Sequence, residues 1–384
     1  MMRVSQPTPA PPRAAGGRGS SVLRTLDRSL GAWLLILLGA LRRTRQRPEA
    51  PGRIGILKST GIGDMVLATA VTRDIMRTFP RAEVVIFGSA ENAGLAELVP
   101  GASVRRLEMT KPWRAIAELR AERLDALIDL GQWSRLEALC TALSGARWTA
   151  GFDTPGQRRG GAYDSPVAHS NQRRELDNYR AVVATLGVSS DSEPRFEASA
   201  DAVRPCPGRY AVFHLWPGGY RSELREWPAD RWLDLAGSCA REGLAVVLTG
   251  GPGDAERSEA FAQTARAATG ANVISVAGRF GLRDVIDVLS GAECVVSVNT
   301  GVMHMAAATG VRTIGLNGPT SSLRWGPVGP RAVSIDSKLP GCGFLNLGWE
   351  YEGERTDCMT GIAVERVAAA ALGAEAGESR AEQG

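Results

Sequence analysis

Residues 53–71 read RIGILKSTGIGDMVLATAV, and this stretch decides the fold. A short apolar run ends at Leu57, two glycines permit a tight turn, and a run of helix-forming residues follows Asp64. A strand that passes into a helix through a glycine turn is the repeating unit of a parallel sheet covered by helices. The same turn presents the Asp64 carboxylate just beyond the end of a strand.

The alternation of strands and helices continues in two series. Strands are predicted at 53–57, 82–88, 103–109, 125–131 and 147–153, then at 210–216, 244–251, 272–278, 293–299 and 312–318. A polar stretch containing prolines separates the series. We therefore predict an α/β protein with an N-terminal domain at 51–190, a linker at 191–209 and a C-terminal domain at 210–372. Ligands of such sheets bind beyond the carboxyl ends of the strands, so two facing domains predict an interdomain cleft.

Composition excludes several classes of protein. The chain has 384 residues and a net charge of only +4, which gives no support for binding nucleic acid. Its three histidines are too few for a metal centre built mainly from histidine. The six cysteines contain no CxxC pair and favour a reducing compartment over a disulfide framework, and Cys342 and Cys358 are read as structural.

The N-terminal region has its own pattern. Residues 1–20 are rich in Pro, Gly, Ala and Arg and are predicted to be disordered, as is the tail at 373–384. Residues 21–50 are predicted to form a basic helix whose apolar run, 29–41, is too short to cross a bilayer. Contact of residues 21–47 with a membrane surface that carries anionic lipid is one interpretation. Packing of this helix against its own domain is the other.

Glycine-bearing turns follow three predicted strands of the second series. The first contains Gly218, Gly219, Arg221 and Arg225; the second contains Gly250, Gly251, Asp254 and Glu256; the third contains Asn299, Thr300, Gly301 and His304. Exposed backbone amides, arginines and a helix N-terminus suit a nucleoside diphosphate. Each turn also has a purely structural explanation: a surface loop for the first, acidic helix starts for the second and a core histidine for the third. Because no strand end carries GxxxxGK[ST] or a complete GxGxxG, the pattern disfavours a P-loop NTPase or an NAD domain.

Taken together, KSTGIGDMVLATAV, REWP at 225–228, LTGGPGD at 248–254 and NTGVMHMAAATGVRTIGLNGPT at 299–320 resemble glycosyltransferase family nine, the ADP-heptose:lipopolysaccharide heptosyltransferases. The resemblance covers roughly residues 53–370. It implies the GT-B architecture, in which two Rossmann-like domains flank an interdomain cleft. It also implies inverting glycosyl transfer that needs no metal or other cofactor, with a nucleotide sugar such as ADP-heptose as donor.

The resemblance also implies site residues. Asp64 matches the general base, with Thr60, Gly61 and Gly63 forming its turn on the acceptor side. The implied donor site takes residues from all three turns of the second series: Gly218, Gly219, Arg225, Gly250, Gly251, Asp254, Glu256, Asn299, Thr300, Gly301 and His304. The implied acceptor is a lipid-linked envelope glycan, which places the protein on the cytoplasmic face of the inner membrane.

Two donor-side positions depart from the family pattern. Asn299 stands where an Asp is common, and Arg225 stands where a Lys is common. The first change removes a charge and the second replaces a point charge by a planar fork. The alternatives are a sugar-nucleotide epimerase of similar shape and a sugar-nucleotide or glycan binding protein without catalysis.

Overall fold

The structure is a computed structural model that describes residues 31–41, 44–219, 221–345 and 355–373. Most of the predicted disordered segments lie outside the described residues, namely 1–20 and 374–384. The strands of the first half are β1 (Arg53–Leu57), β2 (Glu83–Gly88), β3 (Ser103–Arg106), β4 (Ala126–Asp129), β5 (Trp148–Asp153) and β6 (Ser165–Ala168). The helices of this half are α1 (Ala32–Leu41), α2 (Ile62–Thr78), α3 (Ala93–Ala96), α4 (Pro112–Ala121), α5 (Arg135–Leu143) and α6 (Glu175–Ala184).

The second half repeats the arrangement. Its strands are β7 (Tyr210–His214), β8 (Ala245–Leu248), β9 (Val273–Ser275), β10 (Cys294–Val298), β11 (Arg312–Asn317) and β12 (Ala332–Asp336). Its helices are α7 (Ala229–Arg241), α8 (Ala255–Thr269), α9 (Leu282–Ser290), α10 (Gly301–Thr309), α11 (Ser322–Trp325) and α12 (Val364–Leu372). Every predicted strand forms, with ends displaced by up to three residues. The edge strands β6 and β12 were not predicted, because each is short and only partly buried.

Both sheets are parallel and doubly wound. The strand orders are β3-β2-β1-β4-β5-β6 and β12-β11-β10-β7-β8-β9. Each order reverses direction at one point, between β1 and β4 in the first sheet and between β7 and β10 in the second. The crevice at such a reversal is where α/β sheets bind ligands. These two crevices therefore locate the candidate site.

The two halves are in direct contact. Side chains of α2 share one apolar core with side chains of α10, including Val66 and Ala70 from the first helix and Met305 and Ala306 from the second. Residues 191–209, all described, form neither helix nor strand. Within this stretch Phe196 is buried, and its amide donates to the carbonyl of Ala308. The linker is thus packed into the contact between the halves.

The described part of the N-terminal region has features of both interpretations, packing against its own domain and contact with a membrane. Helix α1 is shorter than the predicted 21–50 helix, since residues 44–50 are neither helix nor strand; residues 21–30 and 42–43 lie outside the described part of the chain. Leu35 is fully buried against Ala162 and Tyr163, and a Cβ on Gly39 would lie 2.9 Å from Gly161 Cα. The other face of α1 is exposed and apolar, with Trp33, Leu34, Ile36, Leu37 and Leu41. No helix in the described ranges is long and apolar enough to cross a membrane.

The cysteines require a correction. Cys342 and Cys358 form a disulfide, with their Cα atoms 5.7 Å apart, although the sequence favoured reduced cysteines throughout. Their separation of 16 residues carries no signal of pairing, and only folding brings the two segments together. The remaining cysteines, Cys140, Cys206, Cys239 and Cys294, are buried thiols.

Candidate active site at the contact between the two sheets

The candidate residues gather at the two strand-order reversals. Asp64 and its glycine turn follow β1, whereas Gly218 and Gly219 follow β7 and Asn299 follows β10. Gly250 and Gly251 follow β8, one strand further from the reversal. The placement of the three turns beside neighbouring strand ends follows from the parallel sheet, because all carboxyl ends lie on one edge.

Asp64 lies in the first turn of α2, and its carboxylate is partly exposed. Its Oδ1 accepts hydrogen bonds from the Tyr179 hydroxyl (3.0 Å) and from the Gln132 amide (3.3 Å). Its Oδ2 lies 3.5 Å from Nζ of Lys58, a side chain with no exposure. These bonds go to other elements rather than to the backbone of α2. The carboxylate therefore does not cap its own helix.

The turn before Asp64 requires glycine at two positions. Gly61 has φ 82°, in the left-handed region, and a Cβ there would lie 2.3 Å from Asp64 Oδ2. A Cβ on Gly63 would lie 2.7 Å from Cδ2 of His304. Thr60 is exposed. The turn thus folds the Asp64 side chain over Gly61 while Gly63 faces the second half.

Helix α10 meets this turn head-on. A Cβ on Gly301 would lie 2.7 Å from Ile62 Cβ and 3.0 Å from the Gly63 nitrogen. Thr300 precedes the helix in an extended conformation, and its hydroxyl is 3.3 Å from that of Ser297. The N-termini of α2 and α10 are therefore packed against each other, and both carry the partial positive charge of a helix start. Their side-chain-free glycines permit this approach.

His304 lies within the first turns of α10 and faces Asp64. It is 5% exposed, and its Nδ1 is buried without a hydrogen-bond partner. Burial lowers the pKa of His304 to about 4, against the opposing effect of the Asp64 charge. The imidazole is consequently neutral at physiological pH.

Arg225 ties two of the turns together. Its guanidinium donates from Nη1 to the carbonyl of Asn299 (2.9 Å) and from Nη2 to the carbonyl of Gly218. The side chain is buried, whereas Gly218 and Gly219 are exposed. Arg225 thus holds the exposed glycines of one turn beside the N-terminus of α10.

Asn299 has an explanation that the sequence did not offer. Its side-chain amide donates both protons inward, to Oδ1 of Asn317 (2.8 Å) and to the carbonyl of Trp325 (3.0 Å). A carboxylate has no proton for either bond. The departure from the common Asp therefore fits the packing of this chain's own turns.

The turn after β8 is arranged differently. The Asp254 carboxylate accepts from the Gly251 amide and from Nε of Arg257, each at 3.0 Å. The Arg257 guanidinium also lies 4.1 Å from the centre of the Trp216 ring. Close packing explains Gly250, because a Cβ there would lie 2.9 Å from Asp254 Cβ. Glu256 is exposed. Asp254 therefore starts its helix and holds Arg257, which agrees with the structural explanation of this acid.

Sequence reasoning missed a set of buried polar residues behind Asp64. They are Lys58, Gln132, His169, Glu175, Tyr179 and Arg324. Gln132 lies three residues after the end of β4, so its place beyond a strand end was a usable signal. Glu175 and Tyr179 are four residues apart on α6 and share a face, but that helix was not predicted.

Comparison with known proteins gives a consistent result. The model of glycosyltransferase family 9 (heptosyltransferase) matches residues 113–342. Lipopolysaccharide heptosyltransferase 1 of Escherichia coli K12 is 28% identical over 294 residues, covering 70% of this chain and 88% of that protein. The protein of the same name from Pseudomonas aeruginosa is 29% identical over 354 residues, covering 82% and 96%.

Solved structures share the fold. E. coli ADP-heptose lps heptosyltransferase II aligns with a TM-score of 0.69 at 20% identity, covering 84% of this chain and 98% of that one. E. coli heptosyltransferase WaaC with ADP aligns with a TM-score of 0.63 at 21% identity, covering 82% and 97%. The architecture is GT-B, with two Rossmann-like domains, as the sequence predicted.

Proposed function

This chain belongs to glycosyltransferase family 9, and from that membership we propose that it transfers heptose from ADP-heptose to a lipopolysaccharide-type acceptor with inversion at the anomeric carbon. The relatives are lipopolysaccharide heptosyltransferases by name, which supports the donor and the acceptor. The observation that carries the mechanism is the position of Asp64, at the reversal of one sheet and opposite the helix start at the reversal of the other.

Asp64 is the general base in this proposal. The acceptor hydroxyl oxygen attacks the anomeric carbon, its proton passes to the Asp64 carboxylate, and the bond from that carbon to the diphosphate oxygen breaks. A positioned carboxylate accelerates such a step typically 10²–10⁴-fold. Because Tyr179 and Gln132 both bind Oδ1, the proton passes to Oδ2, which lies 3.5 Å from Nζ of Lys58.

The leaving diphosphate is bound by backbone groups of the second half. Gly218 and Gly219 are exposed beside the N-terminus of α10, where Thr300 and Gly301 present amides. Helix N-termini stabilise developing negative charge without reorganisation. Arg225 keeps these groups together and adds a positive charge behind them. We propose on this basis that transfer needs no metal ion.

Helix α1 provides the contact with a membrane. Its exposed face carries Trp33, Leu37 and Leu41, and basic residues flank the helix in the sequence. An apolar helix face with basic flanks suits an interface that contains anionic lipid. We assign the protein to the cytoplasmic face of the inner membrane, where a lipid-linked acceptor is reachable.

An Asp64→Asn variant tests this function. It should bind ADP as the wild type does, measured by calorimetry, while transfer from ADP-heptose falls at least about 100-fold. Asp153→Asn is a matched control, since Asp153 is an exposed carboxylate of the same half. Undiminished transfer by Asp64→Asn would overturn the assignment of the base. A thermal shift given by UDP or GDP but not by ADP would overturn the donor.

A further inference from the structure

A buried ion pair joins the two halves behind Asp64. Nε of Arg324, on α11, donates to Oε2 of Glu175, on α6, at 2.6 Å, and neither side chain is exposed. Burial alone raises the pKa of Glu175, but the Arg324 charge and hydrogen bonds from His169 and Gln132 outweigh it and hold that pKa below its usual range. Glu175 is therefore a charged acceptor at the contact between the halves.

The pair is connected to Asp64 through one side chain. The Gln132 amide donates to Oε1 of Glu175 at 2.8 Å and lies 3.1 Å from the Tyr179 hydroxyl. The same amide reaches Oδ1 of Asp64, which also accepts from Tyr179. Lys58 fixes the other end of Gln132 by donating to its Oε1 at 2.9 Å. Apart from Asp64 itself, every side chain in this series of hydrogen bonds is buried.

Accordingly, we propose that Arg324 and Glu175 are positioning residues that orient the Asp64 carboxylate from across the contact between the halves. The inference rests on the proposed role of Asp64 as base. Arg324 belongs to the donor half, so the base adopts its working orientation only when both halves are joined. The titratable groups that face Asp64 directly are Lys58, Tyr179 and His304, and Glu175 acts on it through Gln132.

The energetics favour a functional reading of the pair. A buried ion pair adds little net stability, because desolvation offsets the attraction, whereas loss of one partner leaves a buried charge unpaired. The pair therefore adds little to stability, but it fixes the positions of the two side chains closely. Misplacement of a reacting group by about 1 Å can cost roughly 100-fold in rate.

Two variants test the proposal. Arg324→Gln should lower kcat at least about tenfold, with a much smaller change in the donor KM, because the bond between Arg324 and Glu175 lies outside the three donor turns. Arg324→Lys keeps the charge and should recover part of the loss. Tyr179→Phe removes only the hydroxyl. It should lower kcat with little change in the donor KM, because Oδ1 of Asp64 loses a hydrogen bond that orients the carboxylate.

Tyr163→Phe is the matched control for Tyr179→Phe. Tyr163 is also a buried tyrosine of the first half, and its hydroxyl donates to a carboxylate, that of Asp129 (2.7 Å). This variant should keep the wild-type kcat. If Asp64→Asn is inactive but Tyr179→Phe and Arg324→Gln keep kcat within about twofold, the positioning role is overturned while the base stands. If Asp64→Asn remains active, the proposed function itself fails.

Discussion

The close approach of Gly63 and Gly301 makes a sharp prediction about the contact between the halves. In a Gly63→Ala variant the new Cβ would lie 2.7 Å from Cδ2 of the buried His304. Carbon atoms in ordinary contact are about 3.5–4.0 Å apart, so the neighbours must separate by roughly 1 Å. Overpacking of this kind costs about 1–3 kcal/mol.

This cost destabilises the contact between the two halves and does not strain either sheet. Moving the halves apart relieves the clash but loosens the core that α2 and α10 share. Alanine is a better helix former than glycine by up to about 1 kcal/mol, which offsets part of this loss. The melting temperature should therefore change little. A penalty of about 1–3 kcal/mol on the joined state should lower kcat/KM for transfer roughly 5- to 150-fold.

Steady-state transfer kinetics, with the radius of gyration from small-angle X-ray scattering, measure both effects. Gly94→Ala is the matched control, since its Cβ would meet Leu282 of the other half at an ordinary 3.7 Å. We expect a larger radius and slower transfer for Gly63→Ala only. If both variants match the wild type in radius and kcat/KM, the halves do not need the contact seen here.

Three further predictions concern other parts of the molecule. The pKa of His304, lowered to about 4, lies below its unfolded value, so the unfolded chain takes up the proton first as pH falls. Between pH 7 and 4.5 the free energy of unfolding should therefore fall by about 2 kcal/mol less in His304→Gln than in the wild type, measured by urea unfolding. Replacing both Cys342 and Cys358 by Ser should lower the free energy of unfolding by about 3 kcal/mol and abolish any effect of dithiothreitol. Replacing Trp33 and Leu37 by Ser should weaken binding to anionic vesicles at least about tenfold.

Controls separate these effects from general destabilisation. If the free energy of unfolding fell equally in His304→Gln and in the wild type between pH 7 and 4.5, the burial of His304 would not be the cause of the fall. A response to dithiothreitol in the double Ser variant would show that another bond is reduced. Trp113→Ser, at a tryptophan that is 66% exposed on α4, should keep vesicle binding. Weaker binding by that control would exclude α1 as the specific contact.

Much of the fold was readable from local pattern. The stretch at 53–71 contains a strand, a turn and a helix, and the residue types in each element favour the structure that forms. The same holds for the stretch at 293–309. Parallel strands buried on both faces need continuous apolar runs, and those runs are visible without a structure. The positions after the strand ends, including Asp64 and Gly301, follow from the same logic, because parallel topology places all carboxyl ends on one edge.

What the tertiary structure decided is which of these residues meet. Arg324 and Glu175 are 149 residues apart, and the bond between them depends on how the two sheets dock. The inward amide of Asn299, the disulfide of Cys342 with Cys358 and the buried face of α1 are likewise long-range pairings or choices of packing partner. Periodicity and turn chemistry record the interactions of a residue with its neighbours along the chain. Contacts between distant segments depend instead on how both halves pack together, and no single stretch of sequence determines that packing.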